Sequence, residues 1–438
     1  MQLRYWIPFF DTTAQDWTPE ARMTRWLTFV WIAIGLMVMF SASFPAGTTE
    51  FKNGWHYFQR QGINLAIGMV VFNWIVHSSL RNILGYAQWG LLLFLGLILV
   101  TDLPGYTAIG GAARWIPLGP FLLQPSEFIK PFLVLQSARI FGQWDRLPWK
   151  TRLTWVGIFA LVLVGILIQP NLSTASLCGI TLWLVALAAG LPSIYLLGTA
   201  GAGMLLATLS IGLREYQRKR VMSFINPWAD PSGDGYQLTQ SLMAVGSGGL
   251  FGTGYGQSAQ KMGFLPIQYT DFIMAVFLEE FGLVGGACVL IMLASYATLG
   301  FMIAQKATTI THRLVAIGAT VLMVGQSILN IAVSTGAMPT TGLPFPFWSY
   351  GGSSIIASCI TAALLIRVAR ENGEVVNLPG VPTAMPSKVV NFPGARPQNR
   401  LTALFNRFKR QPKQSTSSEN PSIRPTEKQP GRRKRRSR

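Results

Sequence analysis

Acidic side chains are scarce in this 438-residue chain: 17 Asp and Glu stand against 36 Lys and Arg, and charged residues make up only 12%. A soluble domain carries about 25% charged residues, so there is too little charge here to cover a water-exposed surface. Half of the chain is hydrophobic and its mean hydropathy is +0.37. Cysteine and histidine are sparser still, with three of each. Cys178, Cys288 and Cys359 fall in apolar stretches, where a free thiol behaves as a small hydrophobe. That excludes a disulfide framework, and no metal-ligand spacing is present; His56, His77 and His312 are scattered. A nucleotide loop is also missing. The glycine-rich run at 246–256 (GSGGLFGTGYG) has no G-x-G-x-x-G window and no Gly-Lys-Ser/Thr after it. Its glycines suit close backbone approach to neighbouring helices or to a lipid headgroup.

What is present are long apolar blocks. Crossing the hydrocarbon core takes about 20 mostly apolar residues as helix, and blocks at 26–44, 62–79, 86–100, 127–141, 153–168, 174–191, 193–212, 272–303, 314–334 and 353–368 approach or reach that length. The fourth is short and carries Glu127 and Lys130; the eighth is long enough to tilt or to extend past the bilayer. Barrel strands would alternate polar and apolar positions, whereas these blocks are apolar all round. The predicted fold is therefore all-α, a polytopic membrane protein with about ten transmembrane helices. The first block has full span length and no small-residue cleavage site, so it is expected to be retained.

Lys and Arg in short loops set the orientation. A cytoplasmic N-terminus places Arg4, Arg22, Arg25, Arg81, Arg139, Arg146, Lys150, Arg152, Lys306, Arg313, Arg367 and Arg370 inside, and only Lys52, Arg60 and Arg114 in the opposite loops. Both termini are then cytoplasmic. The segment 214–270, a large extracytoplasmic loop between helices 7 and 8, breaks the pattern with Arg214, Arg218, Lys219, Arg220 and Lys261. The expected organisation is a cytoplasmic segment 1–23, a membrane domain 24–371 and a basic, disordered cytoplasmic tail 372–438. From Lys388 onward there are fifteen basic and two acidic residues. Such a tail suits anionic lipid headgroups or an acidic protein partner. Without it the charge is nearly balanced, so no nucleic-acid partner is expected.

Ionisable groups inside spans are costly and face the bundle interior. Glu127 and Lys130 are three apart on one helix face and can pair. Glu279 and Glu280 can meet Lys130 or Arg139, and the plain reading of these groups is structural intramembrane pairing. Asp271 stands where the long loop enters the membrane. Thr270 or Asp271 can cap the eighth helix; alternatively Asp271 is a general base beside an anion-binding site. The stretch GLPFPFWSYGGSS (342–354) reads as a bent approach to the last span, with aromatics suited to the interface.

Four stretches in order carry a resemblance: GGAARWIPLGPFLLQPSEFIK (110–130), YQRKRVMSFINPWADPSGDGYQLTQSLMAVGSGGLFGTGYGQSAQK (216–261), TDFIMAVFLEEFG (270–282) and GLPFPFWSYGGSS (342–354). With them the chain resembles the shape, elongation, division and sporulation (SEDS) family from about Thr24 to Glu371. The resemblance implies a peptidoglycan glycosyltransferase at the outer face of the bacterial cytoplasmic membrane. It would polymerise lipid II, the undecaprenyl-diphosphate-linked disaccharide pentapeptide, with inversion. A class B penicillin-binding protein would crosslink the product, and other divisome membrane proteins are expected partners. The family's catalytic Asp falls on Asp271. Arg114, Lys130, Arg218, Arg220 and Lys261 are candidates to bind the departing diphosphate, with Ser349 and Ser353 as further substrate-binding candidates. A divalent cation (Mg or Mn) is compatible with the reaction, but no metal site is assembled in the sequence.

Two departures limit the carry-over. The family's Pro-Asp-Leu-Gly-Thr-Ala reads Pro170-Asn171-Leu172-Ser173-Thr174-Ala175 here, and its Pro-Glu-x-His reads Pro266-Ile267-Gln268-Tyr269. Ser258-Ala259-Gln260-Lys261 and Phe345-Pro346-Phe347 resemble the division branch more than the elongation branch, which suggests the septum. A lipid II flippase and a non-catalytic divisome scaffold are the competing readings.

Overall fold

The computed structural model describes residues 11–103, 114–119, 121–169 and 171–376. Seven long helices come first: α1 (Pro19–Phe51), α2 (His56–His77), α3 (Leu80–Thr101), α4 (Pro125–Phe141), α5 (Trp149–Ile168), α6 (Leu172–Ala188) and α7 (Ser193–Leu213). An excursion with two shorter helices follows, α8 (Glu215–Ile225) and α9 (Tyr236–Ser247). Then come α10 (Ile273–Gln305), α11 (Ile310–Ser334) and α12 (Gly352–Val376). The ten expected spans correspond to α1–α7 and α10–α12. By length and composition alone, seven of them (α1, α3, α5, α7, α10, α11 and α12) are apolar enough to cross a membrane; α6 has 17 residues, and α2 and α4 carry interior polar groups. The protein is thus a multi-pass membrane protein. Between α3 and α4 lies an antiparallel hairpin of β1 (Ile116–Leu118) and β2 (Phe121–Leu123), with Ile116 opposite Leu123. The basic tail lies outside the described residues, and α1 begins at Pro19, inside the segment expected to end at residue 23.

Polarity and burial are distributed in the sense a membrane demands. The helices with polar side chains are central. In α4 Glu127, Lys130, Gln136 and Ser137 are all buried, and from Ala362 to Val368 α12 is almost entirely enclosed. The uniformly apolar α7 is the reverse, with only Leu196 buried. A helix that is apolar all round belongs in a core or in lipid, and α7 takes the second place. This explains the short fourth block, whose polar groups are paid for by neighbours on every side.

Two stretches of irregular backbone shape the end of the bundle where α10 and α12 begin. The first is a break in α10 at Gly282, with φ 64 and ψ −164, a conformation open to glycine. The break frees carbonyls and amides, and the glycine run takes them up. Thr253 and Gly254 donate to the carbonyls of Glu279 (2.9 Å) and Glu280 (3.0 Å), while Leu283 and Val284 donate to those of Gly249 and Leu250, both at 3.0 Å. A Cβ at Gly252 would stand 2.1 Å from the Glu280 carbonyl oxygen. Of the two expected uses of these glycines, the structure shows approach to a helix. The break also accounts for the excess length of the eighth span.

The second stretch precedes α12. Phe345, Phe347 and Trp348 are fully buried, not placed at the interface as their composition suggested. They pack around Trp31 of α1 and Phe277 of α10; Phe277 and Trp348 have ring centroids 4.9 Å apart. The Trp348 indole donates to the Trp31 carbonyl at 3.2 Å. Aromatic clusters of this kind add packing energy beyond their buried area.

Gly252→Ala combines a positive φ of 81° with a clash against backbone, and should destabilise the fold by roughly 2–4 kcal/mol. Gly201→Ala, in open space on α7, should leave stability unchanged or slightly raised. Thermal unfolding of the two variants in detergent checks the contrast.

Candidate active site

Asp271 stands two residues before α10. The capping alternative fails, because the N-cap position is Phe272 and no side chain caps this helix. Instead the backbone around Asp271 is pinned residue by residue. The Tyr269 carbonyl accepts from the Tyr350 amide (2.8 Å), the Thr270 carbonyl from Ser349 Oγ (2.5 Å) and the Asp271 carbonyl from Asn330 Nδ2 (2.9 Å). The side chain is half-buried, and among the described residues no donor occupies its carboxylate. Gly342, with φ +71°, lies beside it; a Cβ there would be 3.4 Å from Oδ2. Burial pushes the Asp271 carboxyl above the usual carboxylate range, and Arg220 and then Arg114 pull it partly back.

The two arginines come to Asp271 from separate stretches of the chain, both before it. Arg220, on α8, donates to the Thr340 carbonyl at 2.9 Å and lies over the Tyr216 ring at 4.6 Å. Arg114 Nε donates to the Gln169 carbonyl at 2.8 Å, and Arg214 donates to the Leu167 carbonyl at 2.7 Å. Both of those carbonyls belong to the C-terminal end of α5, where free acceptors and the helix dipole favour cations. Gln169 is itself held, donating to Thr101 Oγ1 at 2.6 Å. Asn171, where the family has Asp, caps α6 by accepting from the Thr174 amide.

The other proposed cations do not join this group. Arg218 is exposed, two residues before Arg220 on α8 and so on a different face of that helix. Lys130 is buried and bonded to Glu127 (2.8 Å) and Gln326 (2.8 Å), so the expected pairing along α4 is present but its charge is neutralised there. Lys261 is likewise buried, bonded to Glu280 at 2.6 Å and to Ser41 of α1 at 2.7 Å. Glu279 accepts from Ser258 Oγ (2.5 Å) and the Ala259 amide (2.9 Å). Neither glutamate meets Lys130 or Arg139, contrary to expectation, since both are taken by the loop that closes the α10 break. Ser349 and Ser353, expected at the substrate, hold backbone. Ser349 accepts from the Phe345 amide (2.7 Å), and Ser353 joins α12 to the hairpin through the Gln124 amide (2.9 Å) and the Leu122 carbonyl (3.2 Å). Among the described residues no three His, Cys, Asp or Glu side chains cluster to hold a metal ion.

Gln61, Gln326 and Asn330 were not singled out from sequence. Gln61 donates to the Ser349 carbonyl (3.0 Å), Gln326 to that of Pro344 (2.6 Å), and Asn330 to that of Leu343 (2.8 Å) besides Asp271. The available signal was two amides four residues apart on one face of an otherwise apolar span, which marks polar work inside the bundle.

Lys261 therefore serves as a structural cation. Lys261→Met should cost about 3–5 kcal/mol by stranding Glu280, and Lys261→Met with Glu280→Gln should recover much of that loss. Thermal unfolding of the single and double variants tests this; a wild-type melting temperature for Lys261→Met would return the residue to the substrate.

Comparison with known proteins agrees with this architecture. The family model described as cell cycle protein, FTSW_RODA_SPOVE, matches residues 21–374. A protein of Synechocystis sp. named probable peptidoglycan glycosyltransferase FtsW is 51% identical over 87% of this chain and 98% of its own. One of Mesostigma viride, named putative peptidoglycan glycosyltransferase FtsW, is 48% identical over 84% of this chain and 88% of its own. Among solved structures, a chain of a peptidoglycan synthase complex that coordinates polymerization and crosslinking is similar with a TM-score of 0.65 and 26% identity, covering 80% of this chain and 97% of that one. The rod shape determining protein RodA of Thermus thermophilus is similar at 0.59 and 25%, covering 80% and 96%. With a match along the whole helical bundle, and with the motifs that build the Asp271 end inside it, this chain belongs to the FtsW/RodA/SpoVE family of cell cycle proteins.

Proposed function

We propose that this chain polymerises lipid II into glycan strands, with Asp271 as the general base. One observation carries the assignment of the base. Asp271 does not cap its helix, yet its backbone is held on three successive carbonyls, and among the described residues no donor takes its carboxylate, which feels the charges of two arginines. A carboxylate kept free at such cost in order suits a reacting group. In the reaction the acceptor sugar hydroxyl gives its proton to Asp271 as its oxygen attacks the donor's anomeric carbon. The bond from that carbon to the diphosphate oxygen breaks with inversion, and undecaprenyl diphosphate leaves. Arg220 and Arg114 stabilise the charge growing on the diphosphate, an interaction stronger in the transition state than before it.

The names of the relatives support peptidoglycan glycosyl transfer, and those relatives match nearly end to end. The distribution of Lys and Arg supports cytoplasmic termini in the cytoplasmic membrane, which puts Asp271 on the outer face. A crosslinking class B penicillin-binding protein is the proposed partner, supported by the likeness to a chain of a peptidoglycan synthase complex. The relatives' shared name favours the division septum and other divisome proteins. Lys388–Arg438 would tether the protein to anionic lipid or an acidic partner.

The test is polymerisation of lipid II by protein in vesicles with its transpeptidase partner. Asp271→Asn should lower the rate by about a hundredfold or more with folding intact; full activity of that variant would remove the base assignment. The base works deprotonated, so a raised pKa puts the acid limb of the rate profile above the ordinary carboxylate range. Arg220→Gln removes a charge that favours the carboxylate, and should move that limb to still higher pH. A limb that stays in place would show that Arg220 does not act on Asp271.

A further inference from the structure

Away from the arginines, the residues just before Asp271 lead into a group the mechanism does not use. Tyr269, Tyr57 of α2 and Tyr350 before α12 pack ring on ring. Tyr57 and Tyr269 have centroids 4.6 Å apart, and Tyr350 stands edge-on to Tyr57 at 5.0 Å. Tyr57 is the buried backing ring, while Tyr269 and Tyr350 stay partly exposed. The Tyr269 hydroxyl donates to Tyr57 at 3.1 Å, and Tyr57 donates to the carboxylate of Glu50 at the end of α1. On the other flank the positive charge of Arg60 acts on the Tyr350 hydroxyl. Glu50 and Arg60 are both exposed, and they form no ion pair with each other. His56 stacks on Phe51 at 3.8 Å, and its Nε2 is buried with no partner among the described residues.

We propose that this tyrosine group is a binding subsite for an uncharged, N-acetylated sugar ring beside the reacting centre. The proposal rests on the glycosyl-transfer reading above and adds the place where a sugar is held. Its parts match that ligand. Partly exposed aromatic faces take the apolar face of a sugar ring, and their hydroxyls keep a polar handle at the edge. A carboxylate accepts from sugar hydroxyls, a guanidinium donates to hydroxyl or acetamido oxygen, and an unpartnered buried nitrogen asks for one more hydrogen bond. The division of labour around Asp271 is then physical, with the diphosphate drawn to Arg114 and Arg220 and the carbohydrate to the ring faces. Tyr269 joins the two, since it lies two residues before the base and its carbonyl is fixed by the Tyr350 amide. Ring chemistry of this kind is shared by the incoming lipid-linked disaccharide and by the growing strand.

The experiment uses the full chain with its transpeptidase partner and compares wild type with Glu50→Gln and Arg60→Ala, both exposed positions. A lipid-free, uncharged tetrasaccharide of β-1,4-linked N-acetylglucosamine is added as competitor. The wild type should be inhibited by it, and both variants should lose about tenfold of that inhibition. A raised half-saturating concentration of lipid II, with the maximal rate nearly unchanged, assigns the site to the incoming disaccharide. Shorter strands at unchanged half-saturation assign it to the growing strand. The proposal is overturned if wild type ignores the tetrasaccharide, or if the variants show only a lower melting temperature and maximal rate with competition unaltered. A wild type that does not polymerise at all overturns the glycosyl-transfer reading instead, which keeps the two failures apart.

Discussion

Peptide groups that leave a helix inside a membrane protein must find partners within the protein, because lipid offers none. That constraint organises the end of this bundle where Asp271 lies. α10 is broken at Gly282, and the glycine run of 246–256 supplies the missing amides and carbonyls. The stretch before α12 is irregular over ten residues, and Gln61, Gln326, Asn330 and Ser349 answer its carbonyls and amides one by one. The glutamates at 279 and 280 belong to the same arrangement. They fasten the loop back to the break, one through backbone amides and one through Lys261.

Asp271 benefits from being outside this economy. Its carbonyl is held by the same amide that holds Leu343, so its position is inherited from α11. Its carboxylate, by contrast, is not assigned to any structural donor among the described residues. The cations beside it are placed in the same indirect way. Arg114 is carried by a carbonyl at the end of α5 and Arg220 by the carbonyl of Thr340, so each is oriented by backbone. The outward segment that broke the charge rule therefore supplies one arginine to the Asp271 centre, while its lysines are taken by carboxylates.

Much of this was legible in the sequence. Ten apolar blocks became ten long helices because hydrophobic length is a local property, and the four motifs identified the family. The weakest block, α4, was weak for a good reason, since a central helix surrounded by others can afford the Glu127–Lys130 pair. The helices α8 and α9 were not foreseen because they lie in a polar excursion where no span length marks them. Aromatic residues at 345–348 were misplaced because composition cannot tell a lipid interface from a packed core.

The chain by itself determined the number of long helices, their alternation and the family, since hydropathy, charge count and motif order are all written along one dimension. Which cation meets which carboxylate was decided by the tertiary structure. Lys130, Lys261, Arg114 and Arg220 looked equivalent as basic residues in the family-like motifs, yet two are sealed in ion pairs and two act electrostatically on Asp271. The difference comes from burial and from partners contributed by distant helices: Gln326 and Ser41 on one side, the ends of α5 and of the Thr340 loop on the other. Ion pairing in a medium of low polarity is settled by a few ångströms of approach, and those distances exist only once the helices have packed.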